Sequence, residues 1–119
     1  MKKATEAQLL RIFVGELDKV GGTPLYEKLV YEAKKAGLAG ATVLKGVMSF
    51  GANSRIHKSK LLDISEDLPM VVEIVDEREK LKPFLETVDE LFRKSDSGGL
   101  ITLERAHIWH YGASENGGT

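Results

Sequence analysis

Residues 40–75 read GATVLKGVMSFGANSRIHKSKLLDISEDLPMVVEIV, and the way this stretch divides decides the fold. Ala41 to Phe50 has strand character, with Val43, Leu44, Val47 and Met48 lying between Thr42 and a Ser-Phe-Gly step. Met70 to Val75 is a second strand, apolar on both faces except at Glu73. Residues 51–68 between them lose all periodicity, and Pro69 closes the gap. A compact small domain seldom carries so long a connection without using it. Its first half, GANSRIHKSK, holds Arg55, Lys58 and Lys60 with no acidic residue before Asp63, so a cationic arm is expected to leave a glycine-marked strand end.

Outward from this pair of strands the chain repeats one pattern. Gln8 to Gly15 reads as a strand with Leu10, Ile12 and Val14 on one face and Leu9 and Phe13 beside Arg11 on the other. Gly21-Gly22-Thr23-Pro24 predicts a turn, an N-cap at Thr23 and a proline in the first helical position. A helix follows with Leu25, Leu29, Ala33 and Ala36 in one stripe and Gly37 as its C′ residue. A second helix is predicted from Glu77 to Phe92, with Leu81, Phe84, Leu85, Val88, Leu91 and Phe92 on one face. Pro83 either starts that helix or kinks it. Leu100 to Tyr111 is the last strand, and GASENGGT at residues 112–119 has almost nothing to bury.

The order β-α-β-β-α-β is that of an α+β, ferredoxin-like split βαβ domain: an antiparallel four-stranded sheet with two helices on one face. The domain is expected to span residues 1–112, followed by a disordered tail at 113–119. Such a fold leaves one sheet face bare, yet all four strands are apolar on both sides. Other copies of the chain are the economical cover, packed through their sheets in a closed homo-oligomer.

Composition narrows the function. Seventeen basic and eighteen acidic residues give a net charge of −1, which excludes a general nucleic-acid or membrane-surface binder. The absence of cysteine excludes disulfides and thiolate chemistry and fits a cytoplasmic protein. The apolar run after Lys2 and Lys3 is too short for a membrane span and is broken by Arg11, so neither a signal peptide nor membrane insertion is expected. His107 and His110, three apart on a strand, face opposite ways and do not form a metal pair. The carboxylates Asp76, Glu77, Glu79, Glu86, Asp89 and Glu90 read as a solvated helix face, and no nucleophile–base spacing is present, so no catalytic residue is assigned. Phosphate binding fares better. Neither a Walker A loop nor G-x-G-x-x-G occurs, but backbone N–H groups in glycine turns cradle anions, and Gly21-Gly22, Ser49-Phe50-Gly51 and Ser97-Gly98-Gly99 all qualify. A lone glycine pair is ordinarily just a turn.

The segment from Gly40 to Glu77, together with SGGLITLERAHIWHYG at residues 97–112, resembles the small PII-like proteins of a conserved, functionally uncharacterised bacterial and archaeal family. More distantly the chain is similar to the nitrogen regulatory PII proteins, ferredoxin-like trimers that bind adenine nucleotides between subunits and signal through a long loop after the second strand. The resemblance implies a homotrimer, an adenine nucleotide as ligand with no further cofactor, no enzymatic activity, and a membrane transporter or enzyme as partner for residues 51–68. It places Gly40 and Thr42 beside the adenine, Ser49, Phe50 and Gly51 at the root of the loop, and Ser97, Gly98 and Gly99 on the phosphates. Two departures stand out: Leu100 replaces the lysine that usually follows the phosphate loop, and His110 stands where an arginine is expected. Fewer fixed cations favour AMP, ADP or a cyclic relative as much as ATP, with Arg55 and His57 supplying charge from the loop. Two rivals share the fold: a small phosphohydrolase using His57, His110 or Glu104 to activate water, and an ion-tolerance trimer similar to copper-tolerance proteins that ignores nucleotides.

Overall fold

A computed structural model describes residues 3–49 and 67–112. Phe50, Gly51, Arg55 and the rest of the expected arm up to Glu66, and the tail from Ala113, lie outside the described residues. Eight elements follow in order: β1 (Thr5–Gly15), β2 (Lys19–Val20), β3 (Thr23–Pro24), α1 (Leu25–Lys35), β4 (Thr42–Lys45), β5 (Pro69–Asp76), α2 (Arg78–Ser95) and β6 (Leu100–Ile108). The main sheet is four-stranded in the order β4-β5-β1-β6, every neighbouring pair antiparallel. The α+β split βαβ architecture is therefore present, with β2 and β3 added as a small separate hairpin.

Both helices lie on one sheet face. Leu10, Ile12 and Val14 of β1 and Met70, Val72 and Ile74 of β5 meet Leu25, Leu29 and Ala33 of α1 and Leu81, Phe84, Val88 and Leu91 of α2 in one core. Fully burying one such aliphatic side chain stabilises the fold by about 1.5–3 kcal/mol. Ala36, expected in the α1 stripe, is exposed, because the helix ends there. The ending is a Schellman motif: Leu38 N–H donates to Ala33 O, Gly37 N–H to Lys34 O, and Gly37 takes φ +79°.

Three boundaries differ from expectation, each for a local reason. Thr23 does not cap α1. It pairs with Val20 in the hairpin, whose two-residue turn is Gly21 (φ +56°) and Gly22 (φ +92°), and Pro24 becomes the N-cap without a side-chain hydrogen bond. The first helical N–H, from Leu25, instead donates to Asp18 O at 2.7 Å. Strand β4 stops at Lys45 rather than reaching Phe50. Gly46 N–H donates to Pro69 O at 2.8 Å, but Pro69 has no N–H to return, so the ladder ends. Val47 and Met48 beyond it are exposed at 90% and 72%. Strand β6 likewise ends at Ile108, where its partner Thr5 is the first residue of β1, leaving Trp109 to Tyr111 outside the sheet. Pro83 falls within α2, on its exposed side, and the helix continues through it.

Candidate functional site

Cross-strand register fixes where the candidate residues stand. Strand β4 forms one edge of the sheet and β6 the other. Gly40, exposed, precedes β4, and Thr42, also exposed, opposes Glu73 on the face away from the helices. Ser49 follows β4 and is exposed. Ser97, Gly98 and Gly99 connect α2 to β6 on the opposite edge. Three inter-strand spacings separate the two edges, about 14 Å. The end of β4 that leads to Ser49 is level with the Ser97 to Gly99 turn, because Leu100 pairs with Phe13, Phe13 with Val71 and Val71 with Leu44 in a single row, whereas Thr42 is level with Thr102 and Gly40 lies further toward the Asp76 end. His110 is elsewhere. It lies past Ile108, and the nine residues of β6 carry the chain about 30 Å from the Gly99 end. One chain thus groups Gly40, Thr42 and Ser49 along one edge and Ser97 to Gly99 on the other, and brings neither group to His110.

Local packing accounts for part of the glycine turn. A Cβ on Gly99 would sit 2.5 Å from Phe92 Cε1 and 2.6 Å from Phe13 O, so α2 and β1 approach too closely for any side chain there. The Ser97 hydroxyl donates to Ser95 O at 3.3 Å. Asp96 ends α2 in the left-handed conformation, φ +53°, its N–H shared between Phe92 O and Arg93 O. The turn is therefore held at both ends before any anion is considered.

On the β4 side the support is Asp76. Read from sequence as one of several solvated carboxylates, it is instead 5% exposed at the end of β5. Its Oδ2 accepts from Ala39 N–H at 2.9 Å and its Oδ1 from Glu77 N–H at 2.7 Å. One carboxylate thus ties the start of α2 to the connection that delivers Gly40 and Thr42. A faint signal is present in the sequence: Asp76 continues the alternation of Met70, Val72 and Ile74 onto the core face.

The last residue of β4 and the last two before β5 are tied to one turn, residues 15–18. Lys45 pairs with Glu16 at 3.0 Å, Glu16 N–H donates to Leu68 O at 2.9 Å, and Leu17 N–H donates to Asp67 Oδ1 at 3.2 Å. Asp67 Oδ1 also approaches to 2.8 Å of where a Gly15 Cβ would be, so a side chain there would displace the Asp67 carboxylate.

The sheet face opposite the helices carries, from one end, the row Leu44, Val71, Phe13, Leu100, then Thr42, Glu73, Arg11, Thr102, then Val75, Leu9, Glu104. Leu44 and Leu100 are about half exposed, at 48% and 57%. In the middle Arg11 Nε donates to Glu73 Oε2 at 2.9 Å and Nη1 to Glu104 Oε2 at 3.1 Å. The hydrogen bond to Glu73 is the main reason the Arg11 pKa is raised above its ordinary value. Sequence reading noticed Arg11 and Glu73 only as separate blemishes in apolar strands; their opposition in neighbouring strands required the register.

A shallow groove between the helices, lined by Lys28, Glu32, Glu86, Thr87, Glu90 and Lys94, contains none of the candidate residues. No described helix is long and apolar enough to cross a membrane.

Comparison with known proteins agrees with this geometry. A solved structure of CPII from Thiomonas intermedia K12, bound to ADP, AMP and acetate, superposes with a TM-score of 0.65 at 16% identity, covering 92% of this chain and 94% of that one. A "putative PII-like signaling protein" from Thermus thermophilus superposes with a TM-score of 0.62 at 20% identity, covering 90% and 93%. At these identities the likeness shows the fold, which is PII-like. Sequence relatives are nearer: a UPF0166 protein of Aquifex aeolicus is 42% identical over 106 residues, 89% of this chain and 96% of its own. The family model DUF190, described as "Uncharacterized ACR", matches residues 7–108. The chain belongs to this DUF190 (UPF0166) family of PII-like proteins.

Proposed function

We propose that the protein is a non-enzymatic PII-like regulator that binds an adenine nucleotide in clefts between the subunits of a homotrimer and signals through residues 51–68. The observation that carries the reading is the division of the candidate site. Gly40, Thr42 and Ser49 lie along one sheet edge and Ser97 to Gly99 on the other, with Ser49 following the end of β4 that is level with Leu100. A cleft uniting them needs the β4 edge of one copy beside the β6 edge of the next, and the uncovered apolar face supplies a reason for copies to associate. That CPII carries ADP and AMP on the same fold adds weight to a nucleotide.

In this reading the adenine packs against Phe50 and the Thr42 backbone, and the phosphates accept hydrogen bonds from the Gly98-Gly99 amides. Leu100 in place of a lysine, with His110 rather than an arginine as the second donor, favours one or two phosphates over three. The ligand acts as a switch because it touches the root of the arm, and only a contact that differs between two loop states shifts their populations. The arm is then presented to a partner protein, a membrane transporter or an enzyme, in the cytoplasm. A phosphohydrolase is less well supported, since Glu104, one of its candidate bases, is engaged by Arg11.

Calorimetric titration with ATP, ADP, AMP and cyclic AMP, on a sample whose solution mass is measured, tests this. Saturation near one nucleotide per subunit of a trimer, with no turnover, is the expected result. No heat with any of the four at concentrations far above micromolar would refute nucleotide binding.

A further inference from the structure

The open sheet face has apolar rows on either side of one polar row, Thr42, Glu73, Arg11 and Thr102, with an ionic group at its centre. Arg11, Glu73 and Glu104 come from three adjacent strands, β1, β5 and β6, and form a chain of two ion pairs with Arg11 in the middle. The flanking rows are Leu44, Val71, Phe13 and Leu100 on one side and Val75 and Leu9 on the other. The cluster also has bonding capacity to spare at the surface, since no buried side-chain polar atom among the described residues lacks a partner. Each glutamate has a second oxygen, and Arg11 a second terminal nitrogen, with no partner among the described residues. Glu104 remains more than half exposed, at 58%, while Arg11 and Glu73 are sunk to 34% and 28%.

We infer that the Arg11–Glu73–Glu104 cluster is the polar key that sets the register of this chain's self-association: the spare Arg11 nitrogen of one copy donates to the spare Glu104 oxygen of the next. The inference rests on the proposed assembly through this face. The occupant is another copy because the patch complements itself. It offers one donor and matching acceptors, so a head-to-tail series of such pairs closes in a ring of any cyclic order, including three. An unrelated partner would need to supply a cation and an anion of its own at the same spacing.

The apolar rows supply adhesion without direction, since Leu, Val and Phe side chains tolerate sliding. A buried charge does not. Shifted by one residue, the sheet would press Arg11 and its glutamates against leucine and valine, leaving charges with neither water nor partners. The cluster therefore acts mainly against wrong registers. Carrying one cation and two carboxylates, it also keeps the face from closing on arbitrary apolar surfaces.

The test measures solution mass by light scattering and native mass spectrometry for the whole chain and three variants: Arg11→Met, Arg11→Glu and Glu104→Arg. Circular dichroism melts establish that each variant is folded. The wild type is expected to be a single closed oligomer. Arg11→Met strands two carboxylates in an apolar contact and is expected to weaken association on the order of 100-fold or more. Arg11→Glu and Glu104→Arg, each impaired alone, are expected to assemble preferentially with one another when mixed, because only the mixture restores opposite charges across copies. A wild type that stays monomeric at high concentration would overturn the assembly reading and this inference with it. An oligomeric wild type whose mass and affinity survive Arg11→Met, and whose charge variants show no preference for one another, would overturn the role of the cluster alone.

Discussion

Asp76 offers the sharpest test of how the fold holds its β4 edge. Replacing it with alanine removes the acceptors of two backbone N–H groups, Ala39 at 2.9 Å and Glu77 at 2.7 Å. Leaving a buried donor unsatisfied costs about 1–3 kcal/mol, and more when the lost acceptor was charged. Ala39 and Glu77 are themselves exposed, so water recovers part of each bond, and the total for Asp76→Ala is about 2–4 kcal/mol. In a chain of this length each kcal/mol moves the melting temperature by roughly 3–6 °C, so a fall of roughly 6–24 °C is expected. Asp76→Asn keeps one carbonyl oxygen but turns an amide donor toward a second N–H, and is expected to fall between the two. Urea denaturation at neutral pH gives the free energies. Asp76→Ala within about 0.5 kcal/mol of wild type would show that water satisfies both groups and that the carboxylate holds nothing in place. Because Ala39 leads directly into Gly40, the same variant is expected to weaken nucleotide binding, and Asp76→Asn to weaken it less.

Gly99→Ala forces a methyl group to 2.6 Å from Phe13 O, and is expected to cost about 1–3 kcal/mol in urea denaturation even without ligand, which distinguishes a packing role from a purely phosphate-binding one. Gly37→Ala puts a Cβ on a residue at φ +79° and is expected to cost about 1 kcal/mol, read as a lower melting temperature. Lys45→Met breaks a half-exposed pair with Glu16 and is expected to change stability by less than about 1 kcal/mol, a difference that shrinks further in added salt. Arg55→Ala is expected to weaken ADP binding in calorimetry; unchanged affinity would remove this residue from the site.

Periodicity made the large elements legible because each is a long amphipathic stretch facing one core. The helix faces at Leu25, Leu29 and Ala33, and at Leu81, Phe84, Val88 and Leu91, stand where a 3.6-residue repeat puts them. Boundaries were less legible because they turn on single backbone groups. The end of β4 depends on the missing N–H of Pro69, twenty-three residues beyond Gly46, and the start of α1 on the carbonyl of Asp18. The candidate site was legible only as a set of turns. Which turns share an end of the sheet follows from the β4-β5-β1-β6 order, and a strand order is a property of pairing rather than of any segment. Arg11, Glu73 and Glu104 escaped for the same reason, being 62 and 93 positions apart along the chain.

The connection between β4 and β5 is closed by the fold itself. Its two ends are already joined: Gly46 bonds to Pro69, and the turn at Glu16 and Leu17 grips Lys45, Leu68 and Asp67. The sheet brings those ends together whatever lies between them. The entropy of closing a loop grows only as the logarithm of its length, so doubling the connection would cost about 0.6 kcal/mol. Closing the connection therefore sets little constraint on its length, and the run of Arg55, His57, Lys58 and Lys60 in it is not called for by closure. On the β4 side, a ligand that alters the arm must then act past Gly46, the last residue there held to β5 by a bond that exists without it.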